Sequence, residues 1–349
     1  MIRSEEEPGA GPRPPDRTGL QLSLVVPAYN EARRLAEGMS RLVAATTSGD
    51  IDPETTEFVV VDDGSTDDTG ACASALLGRF PHLVVLRLAE NQGKGAAVRA
   101  GVRAASAPII AFADADMSID PDQTPDFLRA LTESDVAIGS RAAVGASVDR
   151  PSLRRSAMNR AFNQMVNLLT RVSLSDTQCG FKAFRAPAAK LLFHASITER
   201  FAFDVEILAL ARRLGLTIAE VPVHWSRVQG SRVRPWLDPG AMTRDVIRAS
   251  RRARSAPAVP ALALHPDPAQ VDGHAVDLKA LEQELAPFVP VIRRPDGSVL
   301  VLCPLMTEAQ IVGTAAQMAW HVPGGDLQRS LLTVTQLCAM APLAMSREF

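Results

Sequence analysis

From Leu22 onward, short apolar runs alternate with longer stretches in which apolar residues recur every three or four positions. LSLVVP (22–27), EFVVVDD (57–63), LVVLRL (83–88) and PIIAFAD (108–114) keep their apolar residues contiguous. Contiguity rather than alternation predicts strands covered on both faces. Between them, EARRLAEGMSRLVAAT, TDDTGACASALLGRF and GKGAAVRAGVRAAS have helical spacing and helix-forming composition. Strand, helix, strand, helix predicts an α/β fold of parallel strands joined by right-handed crossovers. Ligands of such sheets gather at the carboxyl ends of the strands. The polar residues just after each apolar run are therefore the first candidates for chemistry.

Further along, DVAIGSR (135–141) predicts a strand, and RRSAMNRAFNQMVNLLT (154–170) a helix with Phe162, Met165, Val166 and Leu169 on one stripe. FDVEILALARRLGL predicts another helix and TIAEVPVHW another strand. Residues 255–273 hold four prolines and little pattern, as a linker would. Beyond it, DLKALEQELAPF reads as a helix and VPVIRRPDGSVLVL as a hairpin turning at Asp296-Gly297. Residues 274–349 thus form a small α+β appendage without a chemical motif. Residues 1–19 are acidic, rich in Pro and Gly, and lack the apolar core of a signal peptide; they read as a disordered tail. The main domain is expected over 20–254.

Composition narrows the class only a little. With 46% hydrophobic and 22% charged residues and a formal net charge of -2, the chain is an ordinary globular protein and no polycation. Cys72, Cys179, Cys303 and Cys338 form no CxxC pair, which suits a reducing cytoplasm better than a zinc site or disulfide framework. No run of 18 or more apolar residues predicts a membrane span. Charge is locally uneven, however. Between Trp225 and Arg254 eight arginines (227, 232, 234, 244, 248, 251, 252 and 254) face two aspartates, with Trp236 among them. Such a segment suits contact with an anionic lipid surface, or is simply a solvated helix face. No nucleic-acid-binding motif accompanies the charge.

Each strand end carries its own signal. Pro27-Ala28-Tyr29-Asn30-Glu31 follows the first run and could be a plain turn with Asn30 as N-cap. Asp62-Asp63-Gly64-Ser65-Thr66-Asp67 follows the second; its adjacent acids can accept from a uracil N–H and ribose hydroxyls, or form an Asp-Gly turn in which Ser65 or Thr66 caps a helix. Asn91-Gln92-Gly93-Lys94-Gly95 opens a helix, where backbone N–H groups and the lysine attract anionic oxygen. It is neither GxGxxG nor GxxxxGK[ST], so a dinucleotide fold or P-loop is unsupported. Asp114-Ala115-Asp116 ends the fourth run; carboxylates at i and i+2 of an extended segment point the same way and can hold Mg²⁺ or Mn²⁺ against a diphosphate. Asp120-Pro121-Asp122 has the same spacing but reads as capping at a helix onset.

VVPAYNEARRL, VVVDDGSTDDT, NQGKGAAVRAG and FADADMS, in this order, resemble family 2 glycosyltransferases. IGSR, DTQCGFKAFRA (176–186), RFAFDVEILALARRLG (200–215), EVPVHW and GSRV (230–233) narrow the likeness to polyprenyl-phosphate (dolichyl-phosphate) β-glucosyltransferases, over about residues 20–254. The resemblance implies a GT-A fold and an inverting transfer of glucose from UDP-glucose to a polyprenyl phosphate; with the cysteine usage and the basic segment, the expectation is a cytoplasmic enzyme held peripherally at the cytoplasmic face of a membrane. It also implies that Pro27, Tyr29, Glu31, Asp62, Asp63 and Lys94 meet the donor nucleotide, and that Asp114 and Asp116 bind the metal. Ser140, Arg141, Lys182 and Arg232 match polar positions near the acceptor.

Chemically, a divalent ion and a lysine would stabilise charge on the departing diphosphate. A phosphate acceptor, ionised with a second pKa of about 6, needs cations more than a base, and Arg141, Lys182 and Arg232 would clamp it. A hydroxyl acceptor needs a carboxylate base, for which Asp176 is the candidate; otherwise Asp176 orients Arg141 or Lys182. Two rival functions follow: the same fold acting on a soluble hydroxyl acceptor, and a nucleotide-sugar-binding module without catalysis.

Overall fold

The computed structural model describes residues 19–76, 79–149, 153–200, 202–226, 239–255, 261–264, 291–293 and 299–302. The first half of the chain winds as β1 (Leu22–Ala28), α1 (Ala32–Ser48), β2 (Thr56–Asp62), α2 (Thr69–Ser74), β3 (Leu83–Arg87), α3 (Lys94–Ala104) and β4 (Ile109–Ala113). Next come α4 (Thr124–Ala130), β5 (Val136–Ser140), β6 (Ser147–Val148), α5 (Leu153–Thr170), β7 (Phe181–Arg185) and α6 (Ala186–Ala195). After these follow α7 (Phe203–Arg213), β8 (Ile218–Pro222), β9 (His224–Trp225), α8 (Pro239–Ser255), β10 (Ala261–Leu264), β11 (Val291–Arg293) and β12 (Val299–Leu302).

Seven strands form one sheet in the order β3-β2-β1-β4-β7-β5-β8. The pairs β1–β2, β1–β4, β2–β3 and β5–β8 are parallel, and only β7 runs against its neighbours. This is the α/β, GT-A architecture, a mostly parallel sheet between helical layers. The contiguous apolar runs have the predicted cause: every residue of β1 and β2 is buried. Within β1, Val25 joins the core under α3, α6 and α7, while Leu24 and Val26 join the core under α1 and α4. Burying a side chain of this size contributes about 1.5–3 kcal/mol, so both faces hold the sheet. β3, at the edge, is only half-buried.

The C-terminal strands pair as β10-β12-β11, all antiparallel. β11 and β12 pair antiparallel with Arg293 opposite Val299, as the strands of the expected hairpin would. β10 lies inside the stretch 255–273 read as a linker. The DLKALEQELAPF segment, the Asp296-Gly297 turn itself, Trp236, Arg232 and residues 1–18 lie outside the described residues. Among the described residues no helix is long and apolar enough to cross a membrane.

The strand order decides where a ligand can sit. From β1 the chain winds one way to β2 and β3, then returns to place β4 on the other side of β1. That reversal opens a crevice beyond the carboxyl ends of β1 and β4. Tyr29–Glu31 and Asp114–Asp116 leave the sheet there.

Candidate active site

The loops after β1 and β2 are laced together by their own polar side chains. Asn30, in a left-handed conformation (φ 50°), accepts from the Thr66 amide at 2.8 Å, and its own amide donates to Ser65 Oγ at 2.9 Å. The Glu31 amide donates to Thr69 Oγ1 at 2.9 Å. Neither expected cap forms: Glu31 is the N-cap of α1 and makes no side-chain capping bond. Asn30, Ser65 and Thr66 are spent on joining the two loops. Pro27 is buried in β1, while Tyr29, just beyond the strand, is 40% exposed.

Asp62 and Asp63 face inward. Asp62 is fully buried, accepts from the Ser65 amide at 2.8 Å and lies 3.6 Å from Arg87. Asp63 accepts from the Gln92 amide at 2.9 Å, the Gly93 amide at 2.8 Å and the Asn91 side chain at 3.0 Å. Burial raises the Asp63 pKa against the pull of those two amides. Both carboxylates shape the loops after β2 and β3, Asp63 through three donors and Asp62 through one oxygen, its Oδ2 having no hydrogen-bond partner among the described residues. Gly93 (φ 102°) permits a close approach: a Cβ there would sit 2.6 Å from the Glu199 carbonyl oxygen. That same carbonyl accepts from the Gly95 and Ala96 amides at 2.6 and 3.2 Å. The start of α3, read as an anion site, thus spends two of its N–H groups on the chain itself, leaving Lys94 as the main source of positive charge.

At the end of β4 the charges alternate. Lys94 Nζ donates to Asp114 Oδ1 at 2.6 Å. Arg34, in the first turn of α1, reaches Glu31 Oε1 at 2.6 Å with one nitrogen and Asp116 Oδ2 with the other. Asp116 Oδ1 accepts from the Ser118 amide at 3.0 Å and Ser118 Oγ at 2.7 Å. Burial lowers the Lys94 pKa, but Asp114, Asp204 and Asp116 outweigh it and hold the ammonium above the ordinary lysine value. Burial, with Asp116 and Asp114 nearby, lifts Glu31 above the usual carboxylate range although Arg34 opposes the rise.

Do these residues fit a divalent ion? Among the described residues no group of three or more His, Cys, Asp or Glu is arranged to hold one. Two carboxylates of hard oxygen are nonetheless the protein share that Mg²⁺ takes when phosphates and water complete its shell. Asp114 is 40% exposed on its side chain, and its Oδ2 lies over Gly180 where a Cβ would be 2.2 Å away. The glycine keeps that oxygen clear of a side chain. Asp114 and Asp116 therefore fit a metal shared with a diphosphate, and not an all-protein cage.

A cleft lined by Asp114, Ser118, Gly180, Phe181 and Trp225 opens beside this cluster. On the β5 side, Arg141 meets Asp176 as a fork: Nε to Oδ2 at 2.6 Å and Nη2 to Oδ1 at 3.0 Å, with the Arg141 amide at 3.1 Å from Oδ2. Burial alone would raise the Asp176 pKa; Arg141 and the Gln178 amide prevail and hold it below the usual range. Of the two roles open to Asp176, base or partner of Arg141, its contacts are those of the partner. Ser140 lies fully buried at the end of β5. Lys182 needs correction. It is fully buried, donates to Asp204 Oδ1 at 2.7 Å and the Cys179 carbonyl at 2.8 Å, and cannot clamp a ligand. Burial pushes the Cys179 thiol up to about 12, so it remains a neutral core group.

Arg34, Gly180 and Asp204 escaped the sequence reading. Arg34 stands at i+3 from Glu31, a spacing that ordinarily marks a solvated helix pair. Its contact with Asp116 spans 82 positions. The glycine in QCGFK was the visible clue to Gly180.

Comparison with known proteins bears on the family and the fold. The profile of the family described as Glycosyl transferase family 2 matches residues 23–193. The chain is 38% identical over 240 residues to a dolichyl-phosphate beta-glucosyltransferase of Drosophila melanogaster, covering 64% of this chain and 74% of that one. It is 35% identical over 240 residues to the Homo sapiens protein of the same name, with coverage of 64% and 74%. In fold it is similar to glucosyl-3-phosphoglycerate synthase of Mycobacterium tuberculosis in complex with Mn²⁺, UDP and glucosyl-3-phosphoglycerate. The TM-score is 0.51 at 22% identity, over 75% of this chain and 91% of that one.

Proposed function

Because the chain belongs to glycosyl transferase family 2, we propose that it moves glucose from UDP-glucose to a polyprenyl phosphate with inversion at the sugar. The choice of acceptor rests on Asp176. A hydroxyl acceptor needs a carboxylate poised to take its proton. Asp176 is the opposite: both oxygens are held by Arg141 and its pKa is lowered. An ionised phosphate needs no base, and Arg141, fixed by Asp176 with 21% of its side chain exposed, can offer a phosphate its remaining N–H groups. The names of the fruit-fly and human relatives support the same acceptor and sugar.

On the donor side, Glu31, Lys94, Asp114 and Asp116 gather where the diphosphate would lie, with Tyr29 just beyond β1. Asp62 and Asp63 act at one remove, by fixing the loops that border the nucleotide. A divalent ion, when bound by Asp114 and Asp116, would neutralise charge on the departing diphosphate. Lys94 adds a fixed positive charge at the same place.

On this reading the enzyme works at the cytoplasmic face of a membrane, bound peripherally. Arg244, Arg248 and Arg251 are exposed at i, i+4 and i+7 of α8 and present a basic face suited to anionic lipid. Residues 20–254 carry the chemistry in this reading, and 274–349 lie outside it.

The test is incubation of the full chain with radiolabelled UDP-glucose, Mn²⁺ and vesicles containing polyprenyl phosphate. Acid-labile label extracted into organic solvent is expected. Label passed only to soluble hydroxyl acceptors would replace this reading with the rival one.

A further inference from the structure

We propose that Arg34 is a built-in counter-ion that makes divalent-cation binding at Asp116 depend on the nucleotide diphosphate; this rests on the donor-site reading above. Glu31, Asp114 and Asp116 bring three carboxylates to the end of β4, and Lys94 and Arg34 already answer two of those charges. Both oxygens of Asp116 are engaged, Oδ2 by Arg34 and Oδ1 by the Ser118 amide and hydroxyl. An incoming divalent ion must therefore compete with a guanidinium for its ligand. That guanidinium is well placed to hold on: its side chain is only 13% exposed and spans Glu31 and Asp116.

A diphosphate changes the balance. Its oxygens match the planar fork of an arginine, and Arg34 Nε is a buried donor without a hydrogen-bond partner among the described residues. Arg34 can then trade a carboxylate for a phosphate, releasing Asp116 to the metal. Ion and nucleotide bind with positive coupling, and by linkage each strengthens the other equally. Lys94 does not substitute in this role, because it engages only one oxygen of Asp114, whereas both oxygens of Asp116 are engaged.

The experiment is a Mn²⁺ titration of the full chain with and without UDP, following free Mn²⁺ by electron paramagnetic resonance. In Arg34→Met, Mn²⁺ alone is expected to bind roughly tenfold more tightly than in the unaltered protein, the order of effect of one charge-assisted contact. UDP should then improve Mn²⁺ binding less than it does in the unaltered protein. Arg34→Lys keeps one charge without the fork and should fall between; if Arg34→Met does not fold, an unreduced coupling in Arg34→Lys overturns the proposal. Equal or weaker Mn²⁺ binding by Arg34→Met, with normal coupling in the unaltered protein, overturns the role of Arg34 and leaves the donor site standing. No Mn²⁺ binding by the unaltered protein even with UDP overturns both.

Discussion

Two lysines approach the Phe112 ring, Lys94 Nζ at 6.0 Å and Lys182 Nζ at 5.5 Å from its centroid, and each meets a carboxylate at 2.6–2.7 Å. Their surroundings separate them. Lys94 and Asp114 have 19% and 40% of their side chains exposed at the crevice; Lys182 and Asp204 have 0% and 7%. Identical ion-pair chemistry thus serves two ends. The buried pair joins β7 to the first turn of α7, where Asp204 also complements the helix dipole. The crevice pair keeps an oxygen and a charge within reach of a ligand. Exposure, and not the pairing itself, decides which cations can do chemistry.

The largest expected effect lies on the crevice side. Asp116→Ala should lower kcat/KM for UDP-glucose by roughly 10³-fold or more, the several kcal/mol that metal stabilisation supplies. Full activity of this variant in the presence of a chelator would remove the metal from the account. On the buried side, Lys182→Met should destabilise the fold by about 3–5 kcal/mol, because Asp204 is left as an uncompensated buried charge. Urea unfolding measures that loss, and Lys182→Met with Asp204→Leu should recover much of it. A soluble, normally stable Lys182→Met would erase the contrast between the two pairs.

Arg141 and Asp176 stand between these extremes, with side chains 21% and 9% exposed. Arg141→Ala should raise the acceptor KM about tenfold or more. Asp176→Asn should do so less strongly, without the roughly 10²–10⁴-fold fall in kcat that loss of a general base brings. A collapse of kcat in Asp176→Asn would return the hydroxyl acceptor to the lead. The same pair has a pH signature. A carboxylate whose folded pKa is depressed adds stability above its unfolded value, about 3.9 for Asp, and loses it as pH falls through the lower folded value. Stability of the unaltered protein over Asp176→Asn should therefore be greatest near neutrality and shrink below about pH 4. Smallest of all, truncation after Arg254 should leave UDP affinity unchanged, as every donor residue precedes position 120. Lost UDP binding in a folded truncated chain would bring the C-terminal region into the site.

Local pattern explains which parts were legible in advance. β1, β2 and β4 announce themselves because burial on both faces demands contiguous apolar residues. β7 does not: FKAFR puts a lysine where a core strand should be apolar, and Asp204, 22 positions away, together with the Cys179 carbonyl, makes that tolerable. α6 was equally hidden, since APAAKLLFHA follows that strand without a break. The strand-end rule located Asp114, Asp116, Glu31 and Lys94 in one crevice. It does not say which way Asp62 and Asp63 face, because polar residues at strand ends also serve to hold loops, and it does not reach Lys182, which lies within β7. Which way a carboxylate faces depends on donors distant in sequence, such as Arg141 for Asp176 across 35 positions.

Calorimetric titration of UDP in the presence of Mn²⁺ into Lys94→Met and Lys182→Met, each corrected for its folded fraction, tests the central distinction most directly. The account predicts that Lys94→Met weakens UDP binding roughly tenfold, the effect of one charge-assisted contact, while the folded fraction of Lys182→Met binds UDP like the unaltered protein. Normal UDP binding by Lys94→Met together with impaired binding by folded Lys182→Met would contradict it.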